Sequence, residues 1–288
     1  MEINKVLVVG SGTMGRGIAQ WFAQQGVNVE LIDAVFEVAL SAQETIHHSW
    51  HKLLDKGKFS ASEVEAFKKN LKPVEMSEHS HDCDLVIEAI IENLDIKREL
   101  FQKIDLNMKE ECIIASNTSS IPITTLARDL SEKRKKRTLG LHFFNPAPIM
   151  KLVEIIQTPW LDKQVSDELF DWFSKRSKKP AICQDSPGFI VNRVARSFYG
   201  EALHILENHN QERIEELDRV MTSVGGFRMG PFTLMDLIGI DVNYDVTQSV
   251  WKSFYNEPRF RPHRIQREMV ESGRTGRKTQ EGFYKYEK

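Results

Sequence analysis

Val6-Leu7-Val8-Val9-Gly10-Ser11-Gly12-Thr13-Met14-Gly15 decides how this chain is read. Four apolar residues run into a G-x-G-x-x-G loop. Met14, Ile18, Trp21 and Phe22 then recur at i, i+4, i+7 and i+8, the spacing of an amphipathic helix. Gly26 punctuates its end, and the stretch 27–33 reads as a second strand closing on Asp33. A strand, glycine loop, helix, strand and acid in this order give the spacing a mechanism. Gly10 permits the tight turn, Gly12 lets the backbone approach a pyrophosphate, and Gly15 lets helix and strand pack closely. The helix N-terminus at Thr13 and Met14 offers unpaired N–H groups to the phosphates. Asp33 accepts hydrogen bonds from ribose hydroxyls and repels a 2′-phosphate, so the unit predicts NAD over NADP. FAD shares such a loop, but the other motifs of an FAD domain are not evident.

Outward from this unit the pattern repeats. The stretch from Phe36 to about Lys56 reads as a long polar-faced helix, and 62–70 as another. Strands follow at 84–89, 113–116, 138–143 and 153–156, with helices at 95–106 and 123–130. This alternation predicts an α/β fold, a Rossmann-type doubly wound, mostly parallel sheet with helices on both faces. Asp185-Ser186-Pro187-Gly188 interrupts it. Beyond that point Val194, Phe198, Ala202 and Ile205, then Ile214, Leu217 and Met221, keep helical spacing with almost no strand signal. The expected division is a dinucleotide-binding domain over 1–185 and an all-helical second domain over 186–288.

Composition agrees with such a protein and excludes others. Of 288 residues 41% are hydrophobic and 28% charged, which excludes collagen-like, mucin-like and broadly disordered chains. A net charge of −2 leaves no electrostatic footprint for nucleic acid. No apolar run approaches the roughly 20 residues that span a bilayer. The N-terminus enters its first strand directly, without a signal-peptide pattern. Cys83, Cys112 and Cys183 form no CxxC pair, and an odd count suits no disulfide framework, so a reduced, cytoplasmic protein is expected. No metal site is expected.

The second informative stretch is Gly140-Leu141-His142-Phe143-Phe144-Asn145-Pro146. In a doubly wound sheet, ligands bind outside the carboxyl ends of the strands, which places His142 where nicotinamide and substrate meet. An isolated histidine reads more readily as a core residue bonded to backbone. Glu154 changes that reading, because it interrupts the strand Lys151-Leu152-Val153-Glu154-Ile155-Ile156, where a charge is costly unless paired. A carboxylate bonded to one imidazole nitrogen fixes the tautomer and leaves the other nitrogen to exchange a proton with a substrate hydroxyl.

These residues, with several other blocks, resemble the short-chain L-3-hydroxyacyl-CoA dehydrogenase family, which includes bacterial 3-hydroxybutyryl-CoA dehydrogenases. The blocks are the loop with its continuation to Ala19, Val86-Ile87-Glu88-Ala89-Ile90-Ile91-Glu92-Asn93, Ala115-Ser116-Asn117-Thr118-Ser119-Ser120, and the His142–Pro146 stretch with Met150-Lys151-Leu152-Val153-Glu154. Further on come Pro187-Gly188-Phe189-Ile190-Val191-Asn192-Arg193, Met229-Gly230-Pro231-Phe232 with Asp236, and Gly276-Arg277-Lys278-Thr279 leading to Gly282-Phe283-Tyr284. The resemblance implies NAD-dependent oxidation of an L-3-hydroxyacyl-CoA, or the reverse reduction. It makes His142 the catalytic base, Glu154 its orienting partner, Ser119 the serine between substrate and cofactor, and Asn192 the holder of the reacting oxygen. Glu92, Lys97, Asn145 and Lys278 match positions lining the NAD site beside Gly10, Gly12, Thr13, Met14, Gly15 and Asp33. Ser49 and Lys56, with Lys52 as substitute for the latter, fall near the family's coenzyme A contacts. The second domain would close the substrate cleft and form a homodimer, as in the family.

Departures are few. Arg16 and Gln280 stand where smaller residues and glycine are commoner in the family. Lys133-Arg134-Lys135-Lys136-Arg137 is read as a solvated basic loop. Two other readings compete. A 3-hydroxyisobutyrate or 6-phosphogluconate type dehydrogenase shares the loop and a helical second domain but uses a catalytic lysine. A non-catalytic NAD-binding protein would not need the His142–Glu154 pair.

Overall fold

Strand β1 (Lys5–Val9) is buried from Val6 onward, as a strand with neighbours on both sides and helices on both faces must be. It pairs in parallel with β2 (Asn28–Ile32) and β4 (Leu85–Glu88), the latter aligning Val9 with Glu88. Helix α1 (Thr13–Gln24) joins β1 to β2, and α2 (Phe36–Asp55) and α3 (Ala61–Lys69) lead to β3 (Leu71–Pro73). After β4 come α4 (Leu94–Asn107), β5 (Ile113–Ser116), α5 (Ile123–Ala127), α6 (Glu132–Lys135), β6 (Thr138–Phe143) and β7 (Leu152–Gln157). Helix α7 (Lys163–Ser174) and β8 (Lys179–Gln184) finish the first unit. The eight strands lie in the order β3-β2-β1-β4-β5-β6-β7-β8. All neighbours are parallel except β6 and β7, which run antiparallel. The order reverses between β1 and β4. The crevice outside their carboxyl ends is where a doubly wound sheet binds its ligand. This computed structural model describes residues 1–206 and 208–287, and the chain divides into units Met1–Asp185 and Ser186–Lys288.

Elements unread in the pattern are β3, α6, α7 and β8. The two strands are the sheet edges; β3 has only three residues, and β8 is nowhere fully buried, so neither carries a strong apolar signal. Helix α7 buries Val165, Leu169, Trp172 and Phe173. Trp172 and Phe173 meet Trp21 and Phe22 of α1 and Phe143 of β6, with ring centroids 4.9–6.3 Å apart. Each such ring contributes roughly 1.5–3 kcal/mol by burial, so this cluster ties α1 and α7 to each other and to β6.

The basic run is not a solvated loop, and that expectation is corrected. Helix α6 lies within it and buries Arg134. The Arg134 guanidinium donates to the carbonyls of Cys112 (2.6 Å), Met108 (3.0 Å) and Lys109 (3.1 Å), and pairs with Asp105 at 3.2 Å. Planar arginine with five donors suits such a cluster of carbonyls at the end of α4.

The second unit holds α8 (Val191–Leu206), α9 (Gln211–Ser223), α10 (Pro231–Ile238), α11 (Ile240–Ser253) and α12 (Arg264–Glu271). Its core includes Tyr199, Leu203, Phe232, Met235, Met269 and Phe283. Among its described residues β-pairing is confined to isolated bridges near the C-terminus, Gly276 with Glu281 and Glu281 with Lys285. Two buried acids brace it. Asp218 accepts the N–H groups of Phe232 and Thr233 at the start of α10, and Asp236 accepts those of Phe283 and Tyr284. Among the described residues no helix is long and apolar enough to cross a membrane.

Candidate active site

The glycine loop has the shape its sequence requires. Gly10 has φ +99°, and a Cβ there would lie 2.6 Å from the Ala89 carbonyl oxygen, across the β1–β4 switch point. A Cβ on Gly15 would lie 1.8 Å from the Gly10 oxygen, so helix and loop touch backbone to backbone. Above Gly12 there is open space: nothing lies within 4 Å of where its Cβ would be. Gly12 is the N-cap of α1, and no side chain caps that terminus. Its first-turn N–H groups, at Thr13, Met14 and Gly15, present positive partial charge to an anion. Asp33, at the end of β2, accepts a hydrogen bond from the Ser11 N–H at 2.7 Å. The residues present therefore fit a dinucleotide: a cradle with room at Gly12, a donor-rich helix end and a ribose acceptor.

His142 and Glu154 are directly opposite in the antiparallel β6–β7 register. Their Nδ1–Oε2 separation is 2.6 Å, and the two side chains are 7% and 0% exposed, so solvent hardly screens the pair. Phe144 lies against the imidazole, with ring centroids 4.6 Å apart. The other nitrogen, Nε2, is 3.3 Å from the Ser119 hydroxyl. With Glu154 accepting from Nδ1–H, Nε2 carries the lone pair and can take a proton. The charge that interrupts the β7 pattern thus has the partner the sequence demanded.

Ser119 is exposed, in the turn after β5, and the residues behind it are tied in series. Glu92 accepts hydrogen bonds from the hydroxyls of Thr118 (2.5 Å) and Ser120 (2.7 Å) and from the Ser119 N–H (3.3 Å). Lys97 pairs with Glu92 at 3.2 Å and with Glu88 at 2.5 Å. Its side chain is 1% exposed, so it stands behind Glu92 rather than on the crevice wall. Burial opposes ionisation of Glu92, but Thr118, the Lys97 ammonium and Ser120 together hold its carboxyl below the usual range. Glu88 also accepts the Ser116 hydroxyl at 2.5 Å and the Ile90 N–H at 2.8 Å. Asn117 spans the strand ends, its Oδ1 accepting the Phe143 N–H at 2.9 Å. Glu88 and Asn117 were not singled out from sequence. Glu88 carries the same signal as Glu154, a carboxylate closing an apolar strand.

Asn145 is exposed and lines a cavity of about 330 Å³ between α1, α2 and the 145–149 loop. Arg16, Gln20, Thr45 and Ser49 share that wall. Gln20 Nε2 reaches the Ser49 hydroxyl at 3.4 Å. Lys52 and Lys56 are exposed at the end of α2; at i+3 and i+7 from Ser49 they lie on its face of the helix. Arg16 faces this cavity, and no carboxylate pairs with it among the described residues. Asn192 and Lys278 lie in the second unit. Asn192 is the second residue of α8, half-buried, with its carbonyl accepting Arg196 Nε at 2.9 Å. Lys278 is exposed and pairs with Asp241 at 2.5 Å. Nearby Gln280 has φ +62°, a left-handed conformation that explains why glycine suits this position. Cys83 and Cys112 are buried, and burial pushes their thiols up to about 12 and about 11, which rules them out as ready nucleophiles.

The family model for the 3-hydroxyacyl-CoA dehydrogenase NAD binding domain matches residues 5–186, and that for the 3-hydroxyacyl-CoA dehydrogenase C-terminal domain matches residues 188–286. The chain is 41% identical over 284 residues to the 3-hydroxyadipyl-CoA dehydrogenase of Escherichia coli (strain K12), spanning 99% of this chain but 59% of that relative's length. It is 36% identical to the 3-hydroxybutyryl-CoA dehydrogenase of Clostridioides difficile, across 99% of this chain and 100% of that one. The crystal structure of (S)-3-hydroxybutyryl-CoA dehydrogenase from Ralstonia eutropha matches with a TM-score of 0.89 and 36% identity, over 100% of both chains. Two adjoining family models, meeting where the structure divides, leave one assignment: the chain belongs to the 3-hydroxyacyl-CoA dehydrogenase family.

Proposed function

We propose that the protein oxidises the 3-hydroxyl of an L-3-hydroxyacyl-CoA, such as 3-hydroxybutyryl-CoA, to the ketone with NAD, and catalyses the reverse reduction. The observation that carries this reading is the His142 imidazole, braced by buried Glu154 and aimed through Nε2 at Ser119. NAD supplies the hydride acceptor when bound. Gly12, the α1 N-terminus and Asp33 hold its pyrophosphate and ribose; Glu92, Asn145 and Lys278 are assigned to its remaining contacts, with Lys97 acting through Glu92. His142 Nε2 takes the hydroxyl proton in oxidation and returns it in reduction. Glu154 stabilises the imidazolium that forms, and Ser119 and Asn192 position the reacting oxygen. Reduction consumes a proton through His142, so it is favoured as the pH falls.

The coenzyme A portion is assigned to the Arg16–Ser49 cavity and the Ser49, Lys52 and Lys56 face of α2, where cations meet its phosphates. The test is steady-state reduction of acetoacetyl-CoA and of free acetoacetate with NADH and with NADPH. Turnover of the thioester with NADH, at least tenfold above either alternative, is expected. Preference for a free acid would favour a lysine-based dehydrogenase. A C4 to C16 ladder of 3-ketoacyl-CoA substrates then sets chain length.

The second unit carries an apolar groove of about 790 Å³, lined by Val194, Phe198 and Ile205 of α8, Leu217 and Met221 of α9, and Phe227. Val194, Ile205 and Phe227 are 66%, 50% and 48% exposed, more apolar surface than a solvated helix face needs. A second copy of the chain is assigned to this groove, making a homodimer. The three unpaired thiols support a reducing, cytoplasmic setting.

A further inference from the structure

Lys178 sits between α7 and β8, outside the machinery described above. Its side chain is buried, yet among the described residues no carboxylate pairs with it. Its ammonium donates to the carbonyls of Ala147 and Met150, both at 2.6 Å. It also stands 4.7 Å from the centroid of the Trp21 ring and 5.7 Å from that of Phe143. Two donors thus go to the carbonyls, and the cation rests against aromatic faces that attract it. A buried cation without a counter-ion is costly to keep.

The two carbonyls belong to the loop that joins β6 to β7, which is the loop between His142 and Glu154. It carries Asn145, and residues 145–149 wall the cavity beside α2. Few of its own bonds hold it: the Ile149 and Met150 N–H groups donate to the Pro146 carbonyl at 3.0 and 2.9 Å. We propose that Lys178 is a positioning residue, whose ammonium staples this loop and thereby sets Asn145 and the cavity wall relative to His142. The kinetic consequence rests on the activity proposed above; the staple itself does not.

The elements packed round the ammonium are α1 through Trp21, β6 through Phe143, the loop through its carbonyls, and the end of α7, where the Lys178 N–H donates to the Phe173 carbonyl at 3.2 Å. No titratable side chain from these elements acts on it; Arg176, nearby in sequence, lies over Trp172 instead. Burial alone pulls the Lys178 pKa down to about 8 from 10.5. The folded chain therefore sheds this proton before the unfolded chain does. By linkage this group makes the fold more stable, not less, as pH rises from about 8 to 10.5. The neutral amine keeps two N–H groups but loses the charge that strengthens both bonds, so weakening of the loop's staple is separable from unfolding.

Hydrogen exchange of the 144–151 segment, corrected for the intrinsic rate, tests the staple in the whole wild-type chain between pH 7 and 9.5. Protection at Ile149 and Met150 is expected to fall at least tenfold above pH 8, and to persist in Lys178→Arg, whose charge does not titrate there. Lys178→Met should lower kcat/KM for acetoacetyl-CoA tenfold or more at pH 7, mainly through KM, with partial rescue by Lys178→Arg. Protection that ignores pH in the wild type, or Lys178→Met kinetics within twofold of wild type, would overturn the proposal. If Lys178→Met does not fold, wild type and Lys178→Arg decide. The expected exchange pattern in a wild-type chain inactive on every acyl-CoA would support the staple and count against the activity.

Discussion

At the scale of single residues, this site depends on charges placed where water does not screen them. Glu154→Gln keeps the shape of the contact with His142 but not the stabilisation of an imidazolium. Its turnover should fall by about 10²–10⁴, while NADH affinity, read by fluorescence titration, stays within about threefold. Equal loss of NADH binding would make Glu154 a structural acid. Glu92 acts differently. Its carboxyl is held below the ordinary 4.5, so it contributes stability above that value, which is lost as pH falls through the lowered one. The acid limb of the melting temperature, followed from pH 6 to 3, should be shallower in Glu92→Gln than in wild type. Glu154 was legible in the sequence because a carboxylate in an apolar strand needs a partner. Glu88 gives the same sign at the end of β4, where it closes an apolar run. Arg134 could not be read, since its partners are carbonyls that converge only when α4, β5 and α6 are packed together.

At the scale of elements, two glycines of one loop have opposite roles. Gly12→Ala meets open space and an ordinary backbone conformation, so the chain should fold with a melting temperature within a few degrees of wild type. Its methyl group would occupy the dinucleotide's approach, and the NADH Kd should rise at least tenfold. Gly15→Ala drives a Cβ into the Gly10 carbonyl at 1.8 Å, so the loop itself should fail, seen as loss of cooperative melting. Loss of folding in Gly12→Ala, or wild-type NADH binding by it, would refute this division of roles. Arg134→Met leaves the buried carbonyls of Met108 and Cys112 without the guanidinium donor, while that of Lys109 keeps the Cys112 N–H at 3.0 Å. At about 1–3 kcal/mol for each unsatisfied group, a loss of about 3 kcal/mol in urea unfolding is expected. The central strands and α1 were legible because burial on both faces writes continuous apolar runs. The edge strands β3 and β8 were not, because a strand with one neighbour and partial cover needs fewer apolar residues.

At the scale of the molecule, the chain couples a dinucleotide sheet to a helical unit with an exposed apolar groove. The change of pattern at Asp185 was visible because Pro187-Gly188 ends the strand signals and helical spacing replaces them. What the groove binds is not written in periodicity, which marks only the side of each helix that faces the unit's own core. Sedimentation equilibrium should give twice the chain mass for the wild type, and Val194→Asp should shift it toward the monomer; a monomeric wild type would refute the assignment. The proposed chemistry as a whole turns on one imidazole. The most direct measurement is acetoacetyl-CoA reduction by wild type and His142→Gln, with NADH binding titrated in both. Expected are a loss of turnover of about 100-fold or more and an NADH Kd within about threefold of wild type. Turnover that survives the substitution would contradict the assignment of His142 as the proton carrier.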